Sequence, residues 1–82
     1  MAGIQLLEKV ADNLAQKALT LVDRTGDEAV VERIAEVIGA SSTTLQEAFL
    51  TAVRIRRAEA RALAAMAEIA GVAKPAAQAR TG

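Results

Sequence analysis

The stretch TLQEAFLTAVRIRRAEARALAAMAEIA, Thr44–Ala70, decides the fold. It contains no glycine and no proline, and nine of its residues are alanine, which has the highest intrinsic helix propensity. The spacing predicts one helix of about 27 residues, roughly 40 Å long at ~1.5 Å per residue. A typical helix is less than half that length, about 11–12 residues. Thr44-Leu45-Gln46-Glu47 has the pattern of a capping box. In it the Thr44 hydroxyl accepts from the Glu47 N–H, and the Glu47 carboxylate reaches back to the Thr44 N–H. Gly71 supplies the residue type that commonly closes a helix in the left-handed conformation.

Wound at 3.6 residues per turn, this helix gathers Leu45, Ala48, Phe49, Ala52, Val53, Ile55, Leu63, Met66 and Ile69 on one side, with alanines between them. Gln46, Glu47, Thr51, Arg54, Arg57, Arg61 and Glu68 take the other. The apolar arc covers about half the circumference, wider than a coiled-coil seam. Two charges fall within it, Arg56 and Glu59. Three residues apart, they can pair on one helix or reach across a contact between two copies. The face is more than two shorter helices can cover, so an oligomer interface is expected at Leu45, Phe49, Ala52, Arg56, Glu59, Leu63 and Met66.

Upstream, residues 3–24 read as a first helix. Ile4, Leu7, Ala11, Leu14, Ala18 and Leu21 recur at spacings of three and four, and Leu6, Val10, Ala15, Leu19 and Val22 widen the stripe. Such a stripe serves either the core of a small bundle or a coiled-coil seam. Gly26 breaks the pattern, and Thr25 or Asp27 can cap the next helix. Residues 27–38 read as that second helix, with Val30, Val31, Ile34, Ala35, Val37 and Ile38 inward. Glu28, Glu32 and Glu36 form an acidic edge, either solvated or docked on the basic side of the third helix. Gly39–Thr43 reads as a polar turn, and residues 73–82, with Pro75, as a disordered tail after a single domain over 1–72.

Composition narrows the function. Twenty of the 43 apolar residues among 82 are alanine and Phe49 is the lone aromatic, so one copy buries little per helix and oligomerisation is the direct remedy. The chain has no cysteine and no histidine, which removes thiolate ligands and the commonest general base at neutral pH. With no glycine-rich phosphate loop and no nucleophile–base set either, no enzyme activity, metal or cofactor is expected. No long apolar run suggests a membrane span and no signal peptide opens the chain, so a cytoplasmic location is expected. Net charge is zero, but residues 1–50 carry four basic against eight acidic groups, and residues 51–82 six against two. That asymmetry points toward association.

The segment Ile34-Ala35-Glu36-Val37-Ile38-Gly39-Ala40-Ser41-Ser42-Thr43-Thr44-Leu45-Gln46-Glu47-Ala48-Phe49 resembles a helix-turn-helix unit. Extended back to Ala18, it is similar to the DNA-binding heads of tetracycline-repressor-like and AraC-like regulators. The resemblance covers residues 18–49 and implies that Ser42, Thr43, Gln46 and Glu47 face a major groove, with Gln46 able to pair with adenine. The basic cluster Arg54, Arg57 and Arg61 lies further along, where a dimer could bring it to the phosphate backbone. Charge weighs against it: residues 18–49 offer Arg24 and Arg33 against six acids, whereas phosphate contacts need Lys and Arg.

The sequence therefore predicts an all-α protein with helices near 3–24, 27–38 and 44–70, its bundle completed by oligomerisation. The expected function is a non-catalytic module for self-association or protein–protein contact. A small DNA-binding regulator is the alternative.

Overall fold

The computed structural model describes residues 2–73, with side chains over 3–71. Three helices follow one another: α1 over Ala2–Thr25, α2 over Ala29–Ser41 and α3 over Thr43–Ala73. No strand occurs among the described residues. The three-helix expectation holds, and the differences lie at the joints.

The α1–α2 joint keeps the expected Gly26 stop, but α2 begins at Ala29, two residues after the expected start at residue 27. Gly26 takes φ +73°, and its N–H donates to the Val22 carbonyl at 2.7 Å, closing α1. The Thr25 hydroxyl donates back to Leu21 O at 2.8 Å and accepts from the Asp27 N–H at 3.1 Å. The Asp27 carboxylate then accepts from the Ala29 N–H at 2.9 Å, at the first residue of α2.

The α2–α3 joint differs from the expected five-residue turn. Helix α2 runs through Gly39 to Ser41, and a single extended residue, Ser42 (φ −155°, ψ 107°), separates it from α3. Ser42 serves both ends: its N–H donates to Ile38 O at 2.8 Å, and its hydroxyl accepts from the Leu45 N–H at 3.0 Å. The capping residue is therefore Ser42, two positions before Thr44. Thr44 and Glu47 form no capping box, because Thr44 already lies inside the helix. The capping-box pattern favours Thr44, but the hydroxyl on the extended residue, Ser42, takes the cap.

Gly71 does not end α3, which continues to Ala73. A glycine inside a helix costs about 1 kcal/mol relative to alanine, and the alanine-rich turns around it absorb that. The tail expected over 73–82 begins with Ala73, which is helical; residues 74–82 lie outside the described part.

The core is small. Ala11, Ala15, Ala18 and Val22 of α1, Val31 and Ala35 of α2, and Phe49 and Val53 of α3 are buried. Phe49 is fully inaccessible. Alanines at Ala15 and Ala18 leave room for its ring, so α1 lies close against α3 in one buried cluster. This corrects the expected α1 stripe: the buried line is Ala11-Ala15-Ala18-Val22, while Ile4 and Leu21 remain exposed. Val37, expected inward, is exposed on α2.

Gly39 has a packing role within its helix. A Cβ there would lie 2.5 Å from Gln46 Nε2. The hydrogen in its place lets the Gln46 side chain cross α2 and donate to the Ala35 carbonyl at 3.0 Å. The tight one-residue joint is thus braced from inside.

The radius of gyration is 17.2 Å, against about 12 Å for a compact domain of this length. The long dimension is 54 Å, close to the ~46 Å of a 31-residue helix. Helix α3 outruns the other two.

Candidate interaction surface

Helix α3 divides at Arg57. Up to that point its side chains alternate between buried and exposed as it crosses α1 and α2, and from Ala58 to Gly71 every residue is exposed. This projecting arm is about 14 residues, or ~20 Å, and it is not a polar helix. Leu63, Met66 and Ile69 are 57%, 62% and 69% exposed. The same strip begins within the head: Ala52, Ile55, Glu59, Ala62, Met66 and Ile69 follow one another at spacings of three and four, which places them along one side of the helix. Large apolar side chains at this density off the core make the strip a candidate interaction surface.

At its head end the strip forms one wall of an open groove of about 470 Å³. Ala48, Thr51, Ala52 and Ile55 come from α3, and Ile4, Leu7, Glu8, Ala11 and Asp12 from α1. A smaller depression of about 310 Å³ lies elsewhere, between Leu21 of α1 and Val30, Arg33, Ile34 and Val37 of α2.

A chain of charges borders the groove. Arg56 donates through Nε to Asp12 Oδ1 at 2.8 Å and through a terminal nitrogen to Oδ2 at 2.6 Å, a two-pronged pair. Its other terminal nitrogen reaches Glu59 at 3.3 Å. The Arg56 hydrogen bonds hold the Asp12 carboxyl below the ordinary carboxylate range; burial opposes this, and a hydrogen bond from Gln16 at 2.9 Å assists it. Asp12 in turn raises the pKa of Arg56 further. The side chains of both partners remain 36% exposed. A second pair, Arg57 to Glu28 at 2.6 Å, ties the beginning of α2 to α3. Of the acidic edge, Glu28 therefore docks on the basic side of α3, and Glu32 and Glu36 stay exposed.

The residues expected at an oligomer interface separate into three groups. Leu63 and Met66 lie on the exposed strip, with Glu59 at its midpoint. Ala52 is half-buried at the floor of the groove, and Arg56 borders it. Phe49 belongs to the chain's own core, and Leu45 is half-buried beside the α2–α3 joint. The residues expected to contact DNA are likewise divided. Thr43, Arg54 and Arg61 are exposed. Ser42 caps α3, Gln46 holds Ala35 O, and Arg57 holds Glu28. The residues expected at the interface did not include Ile55, Ile69, Ile4 and Leu7, although the first two lie on the expected apolar face of α3 and the last two on the expected stripe of α1. The three–four spacing through Ile55 and Ile69 was the available signal. Nothing local marked Asp12, 44 positions from Arg56.

Among the described residues, no helix is long and apolar enough to cross a membrane. Comparison with protein-family models, curated proteins and solved structures gave no match.

Proposed function

We propose that this protein is a non-catalytic helical module that works by association through α3, and that a second copy of the chain completes its bundle. One observation carries the reading: the arm beyond Arg57 presents Leu63, Met66 and Ile69 with no side chain of the described residues over them. Apolar side chains left in water forfeit about 25 cal/mol per Å² that burial would return. Among the described residues, the small alanine-rich head offers no further element to cover them. Sedimentation equilibrium tests this. Wild type should be dimeric or larger at high micromolar concentration, and Met66→Asp should shift it toward monomer. A wild type that stays monomeric there would defeat the proposal.

A DNA-binding role is the second reading, favoured by the close α2–α3 joint and by the exposed Thr43, Arg54 and Arg61. It has less support, because the amide best suited to read a base is already used on Ala35 and the nearby acids repel phosphate. A duplex titration at two salt concentrations separates the two. Salt-sensitive binding by a monomer would reverse their order.

A further inference from the structure

Resting on the association reading, we propose that two copies pair antiparallel along α3, so that the arm of each enters the α1–α3 groove of the other. The exposed strip sets the register. In heptad terms Ala52, Glu59 and Met66 occupy one seam position, and Ile55, Ala62 and Ile69 the other. An antiparallel pair sets one kind against the other. Ala52 then faces Ile69 of the second copy, Ile55 faces Met66, and Glu59 faces Ala62. In two of these layers a small side chain meets a longer one, so the seam fills without a clash.

Charge excludes the obvious competitor. A parallel, in-register pair would stack Glu59 directly on Glu59 of the second copy within the seam, with like charges opposed and poorly solvated. It would also bring the two three-helix heads to the same end. The antiparallel arrangement separates the two heads and sets each Glu59 against Ala62 of the second copy, one layer from the other Glu59 rather than directly on it, and each Glu59 keeps Arg56 at 3.3 Å.

The groove agrees with this occupant. Ala52 and Ile55 line the groove with Ile4 and Leu7. The Met66 and Ile69 that meet them therefore cover the exposed α1 side chains as well. The pairing is isologous and closes at two copies.

The chain has no native cysteine, so cross-linking is clean. Ile55→Cys and Met66→Cys are made separately, each at an exposed site that leaves the head intact. They are then oxidised alone and as an equimolar mixture, and the products are weighed by mass spectrometry. Sedimentation is run on the reduced proteins. Antiparallel pairing predicts a mixed Ile55→Cys/Met66→Cys disulfide several-fold more abundant than either like-with-like product. A predominance of like-with-like products from a sedimenting dimer would overturn the antiparallel register and leave association standing. Monomers that form no cross-link above the level of unfolded chains would overturn association itself, and this arrangement with it.

Discussion

The two halves of α3 are built from similar residues and meet different fates. Residues 43–57 place Phe49 and Val53 in the core and fix Gln46, Arg56 and Arg57 on partners in α1 and α2. Residues 58–71 have the better helix formers, with seven alanines, and every one of them is exposed. Helical propensity is therefore not what distinguishes the packed half from the exposed one. What does is whether an apolar side chain finds a complement within the chain. The first half is held by tertiary contacts; the second is helical by propensity and keeps its apolar strip available.

The largest test of that contrast is truncation on each side. Phe49→Ala should cost about 3–5 kcal/mol, as removal of a fully buried aromatic ring does, and for so small a core that approaches the whole stability. Leu63→Ala, measured where the protein is monomeric, should stay within about 0.5 kcal/mol. Denaturant titrations of both variants report this directly. A comparable loss at both sites would mean that the arm folds back on the head.

A second test probes how the packed half is locked. Gly39→Ala drives a methyl into the Gln46 amide, which is flexible enough to leave at the cost of its bond to Ala35. That loss, about 0.5–1.5 kcal/mol, is offset by about 1 kcal/mol of helix propensity gained. The single variant should therefore be nearly neutral. In a Gln46→Ala background only the gain remains, so the double-mutant cycle should show a coupling of about 1 kcal/mol. Additive effects would remove Gln46 as the brace of the joint.

The third test is acid. The Asp12 carboxyl is lowered below its usual 3.8 by Arg56. A carboxylate depressed in the folded state contributes stability that is present above its unfolded pKa and lost as pH falls through the folded one. Wild type should therefore lose stability below about pH 4, and Asp12→Asn should be less stable at pH 7 with a flatter acid limb. Melts at neutral pH and at two points down the acid limb would show it; identical acid limbs would mean that the pair contributes nothing to the fold.

How much of this could be read from the chain depends on the range of the interaction. Helix α1 and its Gly26 stop follow from local periodicity and a breaker, and the structure keeps them; α3 is the expected long helix but runs to 31 residues, because Gly71 does not stop it. The choice between Ser42 and Thr44 as cap is not local. It depends on how closely α2 and α3 meet, which Gly39 and Gln46 decide from opposite sides of the joint. The strip through Met66 and Leu63 was visible as a face, but its partition was not. Phe49 lies on the same arc, and only the alanines of α1 reveal that it is used within the chain. The Asp12–Arg56 pair joins elements 44 residues apart, and no spacing in the sequence indicates it.

The smallest expected effect lies at the boundary between the two halves. Arg57 is the last residue of α3 before the exposed arm, and it holds Glu28 at 2.6 Å. A short contact at such a place invites the idea that it sets where the helix leaves the head. The solvent argues otherwise. The Glu28 side chain is 74% exposed, and exposed ion pairs contribute about 0–1 kcal/mol once side-chain ordering and screening are counted. Val53, four residues earlier, is buried against the core and holds the same turn of α3 by packing. Glu28→Gln should therefore lower the melting temperature by less than about 4 °C, the shift expected for roughly half a kcal/mol in a domain of this size. The difference should shrink further at about 0.5 M salt. Amide exchange in a Met66→Asp background should show protection falling at residues 57–58 with or without Glu28, because protection follows buried contacts. A boundary that moves back by a turn or more in Glu28→Gln would make the ion pair, and not the core, the device that divides the helix.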